Sequence, residues 1–298
     1  MKRMKYLTGL LIAGAAFVIV SCNSDDQIVP ASVTNLRGES TPGRIVLRWD
    51  TPKESNIKYI MVNYHDPLLK KDVLKTASVY ADSIEIPDTR QKYGEYTFNV
   101  LSVSPTEDKS DVQTITLTSK PAPITIAVTD RKPVALTVSQ LYADSQEPSE
   151  GPIANLINGN VSDYFHAAWS VDNGPMPHYI VIDLGKLVKG VRLSYTTRNH
   201  GGGGNHPNNI TILASKVFDG KTYDSSKATK CVDIVSDLPK TAKTGYTTSD
   251  ILFDQEYRYV WYRVNSTYGV TSYFALAEIS VEELILNIDN PEAPDAAE

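Results

Sequence analysis

From residue 30 onward the apolar side chains of this chain recur at every second position in short runs, and almost nowhere with the spacing of a helix face. Residues 44–49, 59–64, 83–86, 96–103 and 114–117 each alternate in this way, and Pro, Gly, Asp and Asn separate them. A strand points successive side chains to opposite sides, so each run has one face to bury and one to leave in water. Runs of this kind are satisfied by packing one sheet on another, which predicts an all-β protein of sandwich type. The best short helical candidate, residues 153–157, is only about one turn long.

A different pattern precedes these runs. Lys2, Arg3 and Lys5 lead into an apolar stretch over residues 7–20, too short for a permanent membrane span but matched to a signal-peptide core. It ends in Ile19-Val20-Ser21-Cys22, which resembles a bacterial lipobox. That resemblance implies a leader over residues 1–21, a diacylglycerol on the Cys22 thiol, and attachment to a membrane through a lipidated linker over residues 22–29. An ordinary secretory signal with an incidental cysteine is the alternative. Asn23-Ser-Asp-Asp26 resembles the export signal of Bacteroidetes surface lipoproteins, implying display on the outer face of the outer membrane.

The 298 residues are enough for two domains of the usual ~100–150 residues each. A net charge of −6 without a basic block leaves no surface for neutralising phosphates, so nucleic acid is excluded as a partner. Cys22 and Cys231 are the two cysteines, and with the first acylated no disulfide framework exists; Cys231 reads as a small buried apolar residue. The chain lacks HExxH and Gly-x-Ser-x-Gly motifs and offers no obvious pair of glycosidase carboxylates, which argues against an enzyme. A zinc site built from His166, His200 and His206 with a carboxylate is the catalytic alternative, and a glycine-rich loop is a poor rigid support for it.

Residues 30–120 carry Ala31-Ser-Val-Thr-Asn-Leu36, Trp49 followed by Pro52, Tyr64, and Gly94-Glu-Tyr96-Thr-Phe-Asn-Val100. In this order they resemble a fibronectin type III domain, an immunoglobulin-like sandwich in which Trp49 fills the core and Tyr96 ties a corner. Such a domain usually serves as a spacer. Ser119-Lys-Pro-Ala-Pro123 is a proline-bearing connector. The stretch 121–285 then shows a strand over 135–139 and Asn155-Leu-Ile-Asn-Gly-Asn160 running into Phe165-His-Ala-Ala-Trp169. Next come His178-Tyr-Ile-Val-Ile-Asp-Leu-Gly185, strands over 188–195, 209–213 and 259–264, and Phe274-Ala-Leu-Ala-Glu278-Ile-Ser-Val281. This order is similar to that of the discoidin, or coagulation factor five/eight type C, family, a β-jelly-roll sandwich shared by many carbohydrate-binding modules. Residues 286–298, acidic and with two prolines, read as a disordered tail.

The family resemblance implies a structural Ca2+ wrapped by Asn155, Asn158, Asn160 and Asp163, completed by the Ala277 carbonyl and Glu278 from the last strand. Asn158 stands where the family usually has aspartate, and Asp163 where threonine is common, so a hydrogen-bonded turn without metal is the alternative. The resemblance also places ligand contacts on the end loops: His166, Trp169, Arg198, Asn199, His200, His206 and Tyr268, with Asn205 beside them. An aromatic ring would cover a pyranose face while the polar groups bind its hydroxyls. The four glycines at 201–204 lack the strand-to-helix setting and lysine of a phosphate cradle. The implied protein captures glycan without cleaving it, as an accessory to an outer-membrane glycan importer complex. The competing class is an adhesion module that binds a host or cell-envelope protein.

Overall fold

The computed structural model describes residues 29–53 and 56–295. The leader, Cys22 with its acidic neighbours, and residues 54–55 and 296–298 lie outside them. The chain divides into two units, residues 1–123 with 290–298, and residues 124–289.

In the first unit the alternating runs become β1 (Thr34–Thr41), β2 (Arg44–Asp50), β3 (Tyr59–Asp66), β4 (Lys71–Ser78), β5 (Ser83–Pro87), β6 (Glu95–Val103) and β7 (Gln113–Thr118). They form a three-stranded sheet, β1-β2-β5, and a four-stranded sheet, β4-β3-β6-β7. Ile45, Leu47 and Trp49 point inward from β2 against Ile60, Val62 and Tyr64 of β3 and Tyr96, Phe98 and Val100 of β6. Each fully buried aliphatic side chain of such a core contributes about 1.5–3 kcal/mol. The Tyr96 hydroxyl accepts the Arg90 N–H at 2.8 Å and donates to the Arg90 carbonyl at 3.2 Å, fixing the corner before β6.

In the second unit β8 (Thr125–Pro133), β9 (Leu141–Ala143), β10 (Phe165–His166), β11 (His178–Thr197), β12 (Pro207–Ser215), β13 (Thr229–Ile234), β14 (Gly245–Thr247), β15 (Ile251–Thr267) and β16 (Ala275–Asp289) make one nine-stranded sheet. Its order is β10-β16-β11-β15-β12-β13, with β9 and β14 added to β11 and β8 to β16. The fold over comes from β11, whose register breaks between Asp183 and Gly190. Before the break it runs between β9 and β15; beyond it, β14 and β16 flank it. Ile180 and Ile182 from the first half and Val191, Leu193 and Tyr195 from the second therefore meet in one core with Tyr262 and Phe274. Trp261, one residue from Tyr262, is buried on the opposite face beneath Phe218 and Tyr223. Cys231 is half-buried, and burial pushes its thiol up to about 11.

Two expectations are corrected. Residues 135–139 are not a strand: Thr137 caps a 3-10 turn at Val138–Gln140, its N–H donating to the Gln140 side chain at 3.0 Å, and that local box outcompetes a ladder. The acidic tail is not free from residue 286 onward, because β16 continues to Asp289 paired with β8. Beyond it, Glu292 accepts the N–H groups of Gln91, Lys92 and Ala122 at 3.1, 2.9 and 2.7 Å, and Asp295 takes the Lys92 ammonium at 2.7 Å. The carboxylates find the unsatisfied donors of the 3-10 turn at Gln91–Tyr93.

The loops at one end of the second unit are stitched by their backbones. Ala167 N–H donates to Phe274, Ala275 N–H to Asn205, Tyr268 N–H to His206 and Gly269 N–H to Gly204, at 2.9, 3.1, 3.1 and 2.6 Å. This gathers the segment after β10, the β11–β12 loop and the β15–β16 loop.

Candidate functional site: a polar and aromatic cluster on the end loops

Gly151 sets the geometry. Its φ is +62°, and a Cβ there would stand 2.6 Å from the His166 nitrogen, so only glycine lets this turn lie flush on β10. The turn delivers Glu150, whose two carboxylate oxygens accept the Tyr164 hydroxyl at 2.7 Å and the Trp169 indole N–H at 3.0 Å. The Tyr164 hydrogen bond, opposed by partial burial, lowers the Glu150 pKa and keeps it ionised. Over the Tyr164 ring lies the Arg198 guanidinium, 3.5 Å from the centroid, with its Nε buried and without a partner.

His166 is 3% exposed and held between Tyr164 and Tyr273, with ring centroids 6.1 and 5.3 Å away. Its Nδ1–H donates to the Ala167 carbonyl at 2.6 Å, which leaves the Nε2 lone pair facing the Asn205 amide N–H at 3.4 Å. Burial, with Arg198 nearby, lowers its pKa and keeps the ring neutral. The Asn205 Oδ1 is buried without a partner. Trp169 is 53% exposed beside these groups.

The mount of the exposed indole is rigid. Glu147, 1% exposed, accepts the N–H groups of Trp169 and Ser170 at 3.0 Å each and the hydroxyls of Ser170 and Ser149 at 2.6 and 2.9 Å. These donors, the Ser170 hydroxyl foremost, bring the Glu147 pKa down to about 2. Asn173 ties the same loop to the β15–β16 loop through the Ala168 and Ser272 carbonyls.

Of the residues expected from sequence, the structure brings together His166, Trp169 and Arg198, with Asn205. Asn199 and His200 are exposed on the loop beyond Arg198. His206 is fully buried, its Nδ1 on the Lys240 carbonyl at 2.9 Å. Tyr268 spends its hydroxyl on the Leu238 carbonyl and its ring lies beneath the Lys240 ammonium, 5.6 Å away. Glu150, Tyr164 and Tyr273 were not anticipated; the adjacency of Tyr164 to His166 was the one local hint. Among the described residues no three His, Cys, Asp or Glu side chains converge, and His166 and His206 each direct Nδ1 to a different carbonyl.

The loop over residues 155–163 is tightly bonded within itself. Asn158 Oδ1 accepts the Asn160 N–H at 2.7 Å, its amide donates to Asp163 at 3.1 Å, and Asn155 donates to the Tyr164 carbonyl at 2.9 Å. Glu278 Oε1 is buried without a partner; burial raises the Glu278 pKa against the opposing N–H groups of Asn160 and Gly159, and the Asp163 charge adds to the rise. An orphaned carboxylate oxygen beside a second carboxylate and a turn of amide and carbonyl oxygens is a donor set that fits a hard cation.

Residues 140–279 match the F5/8 type C domain family, and residues 30–119 match a domain of unknown function, DUF4959. No curated protein matches the chain. Similar solved structures include the family 32 CBM from C. perfringens NanJ in complex with galactose, 18% identical over 52% of this chain and 100% of that chain, with a TM-score of 0.39. A SusE-like protein is 14% identical over 84% of this chain and 96% of that chain, with a TM-score of 0.40. The C-terminal domain of a chitobiase from Bacteroides fragilis is 19% identical over 54% of this chain and 100% of that chain, with a TM-score of 0.37.

Proposed function

We infer that this chain, whose second unit carries an F5/8 type C domain, is a non-catalytic carbohydrate-binding protein, and that Glu150, His166, Arg198 and Asn205 with Trp169 and Tyr273 receive one neutral hexopyranose. One observation carries this reading: unused hydrogen-bonding capacity on a rigid mount beside a half-exposed indole. The Glu150 carboxylate has lone pairs left over from Tyr164 and Trp169, the Arg198 Nε and the Asn205 Oδ1 are an unpartnered donor and acceptor, and the His166 lone pair has only the long 3.4 Å contact with the Asn205 amide to give up. That mixture suits the vicinal hydroxyls of a sugar, each both donor and acceptor, while the indole covers the C–H face of the ring. The role is capture.

A Ca2+ held by Glu278, Asp163, Asn155, Asn158 and Asn160 with the Ala277 carbonyl would neutralise the Glu278–Asp163 pair and fasten the turn to β16. Its part is structural. Acylation of Cys22 would tether the chain to the outer membrane, facing outward, where captured glycan could be passed to an importer complex. A fibronectin type III-like first unit would act as the spacer.

The test is a glycan array of the soluble chain from Asn23 onward, with and without calcium chelation, spanning galactose, N-acetylhexosamines, fucose, sialic acid and plant polysaccharides. Selective binding lost in Glu150→Gln and Arg198→Ala supports the reading. Silence across the array from a folded protein overturns it in favour of a protein partner.

A further inference from the structure

The four glycines at 201–204 divide into two whose backbones are held and two whose backbones are free. Gly203 has a φ of +58°, and a Cβ there would fall 2.2 Å from the Lys240 carbonyl. Gly204 is half-buried; its carbonyl accepts the Gly269 N–H at 2.6 Å, and a Cβ on it would meet only the Gly269 Cα at 3.8 Å. These two are locked. Gly201 and Gly202 are exposed and lie outside the left-handed region; a Cβ on Gly201 would meet nothing within 4 Å, and on Gly202 only the His200 ring at 3.8 Å. No backbone hydrogen bond of their N–H groups is found among the described residues. Neither packing nor backbone conformation in this structure calls for glycine at these two positions, yet glycine keeps the backbone free there.

Freedom is placed where it bears on the site. The free pair interrupts a loop that leaves from Arg198, stacked on Tyr164, and returns at Asn205, facing His166. Asn199 and His200, exposed on the loop, carry hydrogen-bonding heads with no side-chain partner among the described residues. Among the described residues, the backbone bonds that shape the span are those of His200 N–H to the Arg198 carbonyl at 2.8 Å and Gly203 N–H to the His200 carbonyl at 3.1 Å.

We propose that residues 199–202 form a cover, hinged at Gly201 and Gly202, that closes on a bound glycan and brings Asn199 and His200 to the sugar residue adjoining the one seated on Trp169. This rests on the carbohydrate reading above and extends it: the ligand is a neutral oligosaccharide of two or more residues, and its second residue is read by a segment that takes its working position only when the first is bound.

The experiment uses the full chain and a panel of lactose, cellobiose and N,N′-diacetylchitobiose with their component monosaccharides. Tryptophan emission reports occupancy, and hydrogen–deuterium exchange reads the amides of residues 199–202. These amides are expected to exchange rapidly in the free protein and to be protected by a disaccharide but not by a monosaccharide. The disaccharide should bind tighter than its monosaccharide by about fivefold, the worth of one net hydrogen bond. Gly201→Ala with Gly202→Ala should retain the thermal midpoint and the monosaccharide affinity and lose that advantage, as should His200→Ala. If emission responds while the amides stay unprotected and the double variant keeps the advantage, the cover is overturned and the sugar site stands. If no panel member changes the emission, the carbohydrate reading falls and the cover with it.

Discussion

Arg198 lies over Tyr164, guanidinium carbon 3.5 Å from the ring centroid, and the hydroxyl of the same tyrosine donates to Glu150 at 2.7 Å. One aromatic side chain therefore orients both permanent charges of the site. Tyr164→Phe keeps the stack and loses one hydrogen bond, and is expected to weaken glycan binding about fivefold. Tyr164→Leu removes both and should cost about thirtyfold. Titration calorimetry of the two variants with the array-selected glycan separates the contributions, and equal losses would deny the stack a role.

Glycan affinity should be flat above the ordinary histidine value of 6.5, because burial lowers the His166 pKa and Nε2 stays an acceptor. Once pH falls below the lowered value of the folded ring, it takes a proton, Nε2 becomes a donor, and binding falls. Folding follows the same direction: the unfolded chain protonates at a higher pH than the folded one, so stability is complete above 6.5 and declines as pH drops below it. Affinity measured across this range checks the sign; a loss beginning at alkaline pH would point to a different group.

Calcium at 100 times its dissociation constant should raise the thermal midpoint by about 5–10 °C. Glu278→Gln, which supplies no charge to oppose the cation, should abolish most of the shift, while a midpoint indifferent to calcium in the parent chain would leave the 155–163 turn held by hydrogen bonds alone.

Glu292→Ala strips one acceptor from three backbone N–H groups and should destabilise the first unit by about 1–3 kcal/mol. Burial opposes ionisation of Glu292, but the N–H donors of Ala122, Lys92 and Gln91 prevail and its pKa is lowered. Its contribution is therefore complete above the ordinary glutamate value of 4.5 and is lost as pH falls below it. Hydrogen exchange at Gln91 and Lys92 reads the effect locally.

How much of this was legible in the sequence follows from how local each signal is. β2 and the first half of β6 bury one face and β7 half-buries one, so their alternation showed in the residues themselves, whereas β3 and the end of β6 also bury Met61, Leu101 and Val103 in a second small cluster. β8 is exposed along nearly its whole length and owes its existence to pairing with β16, a long-range fact with no local signature. His166, Trp169 and Arg198 could be read as chemistry-bearing residues near turns. Glu150 could not, because its place in the site is fixed by Gly151 fitting against β10 and by contacts with Tyr164 and Trp169, all made by folding. His206 carries the same functional group as His166 and is buried like it; only the partners of the two rings, the Lys240 carbonyl for one and Tyr164, Tyr273 and Asn205 for the other, distinguish them.

The pairing of Thr125 with Asp289 at the start of β8 and the end of β16 makes the second unit a cassette inserted into the first. Its two points of attachment are neighbours in a ladder, so joining the chain directly across them removes the whole jelly roll without stretching what remains. A different module whose own ends are adjacent could be grafted at the same place, with the rest of the chain left unchanged.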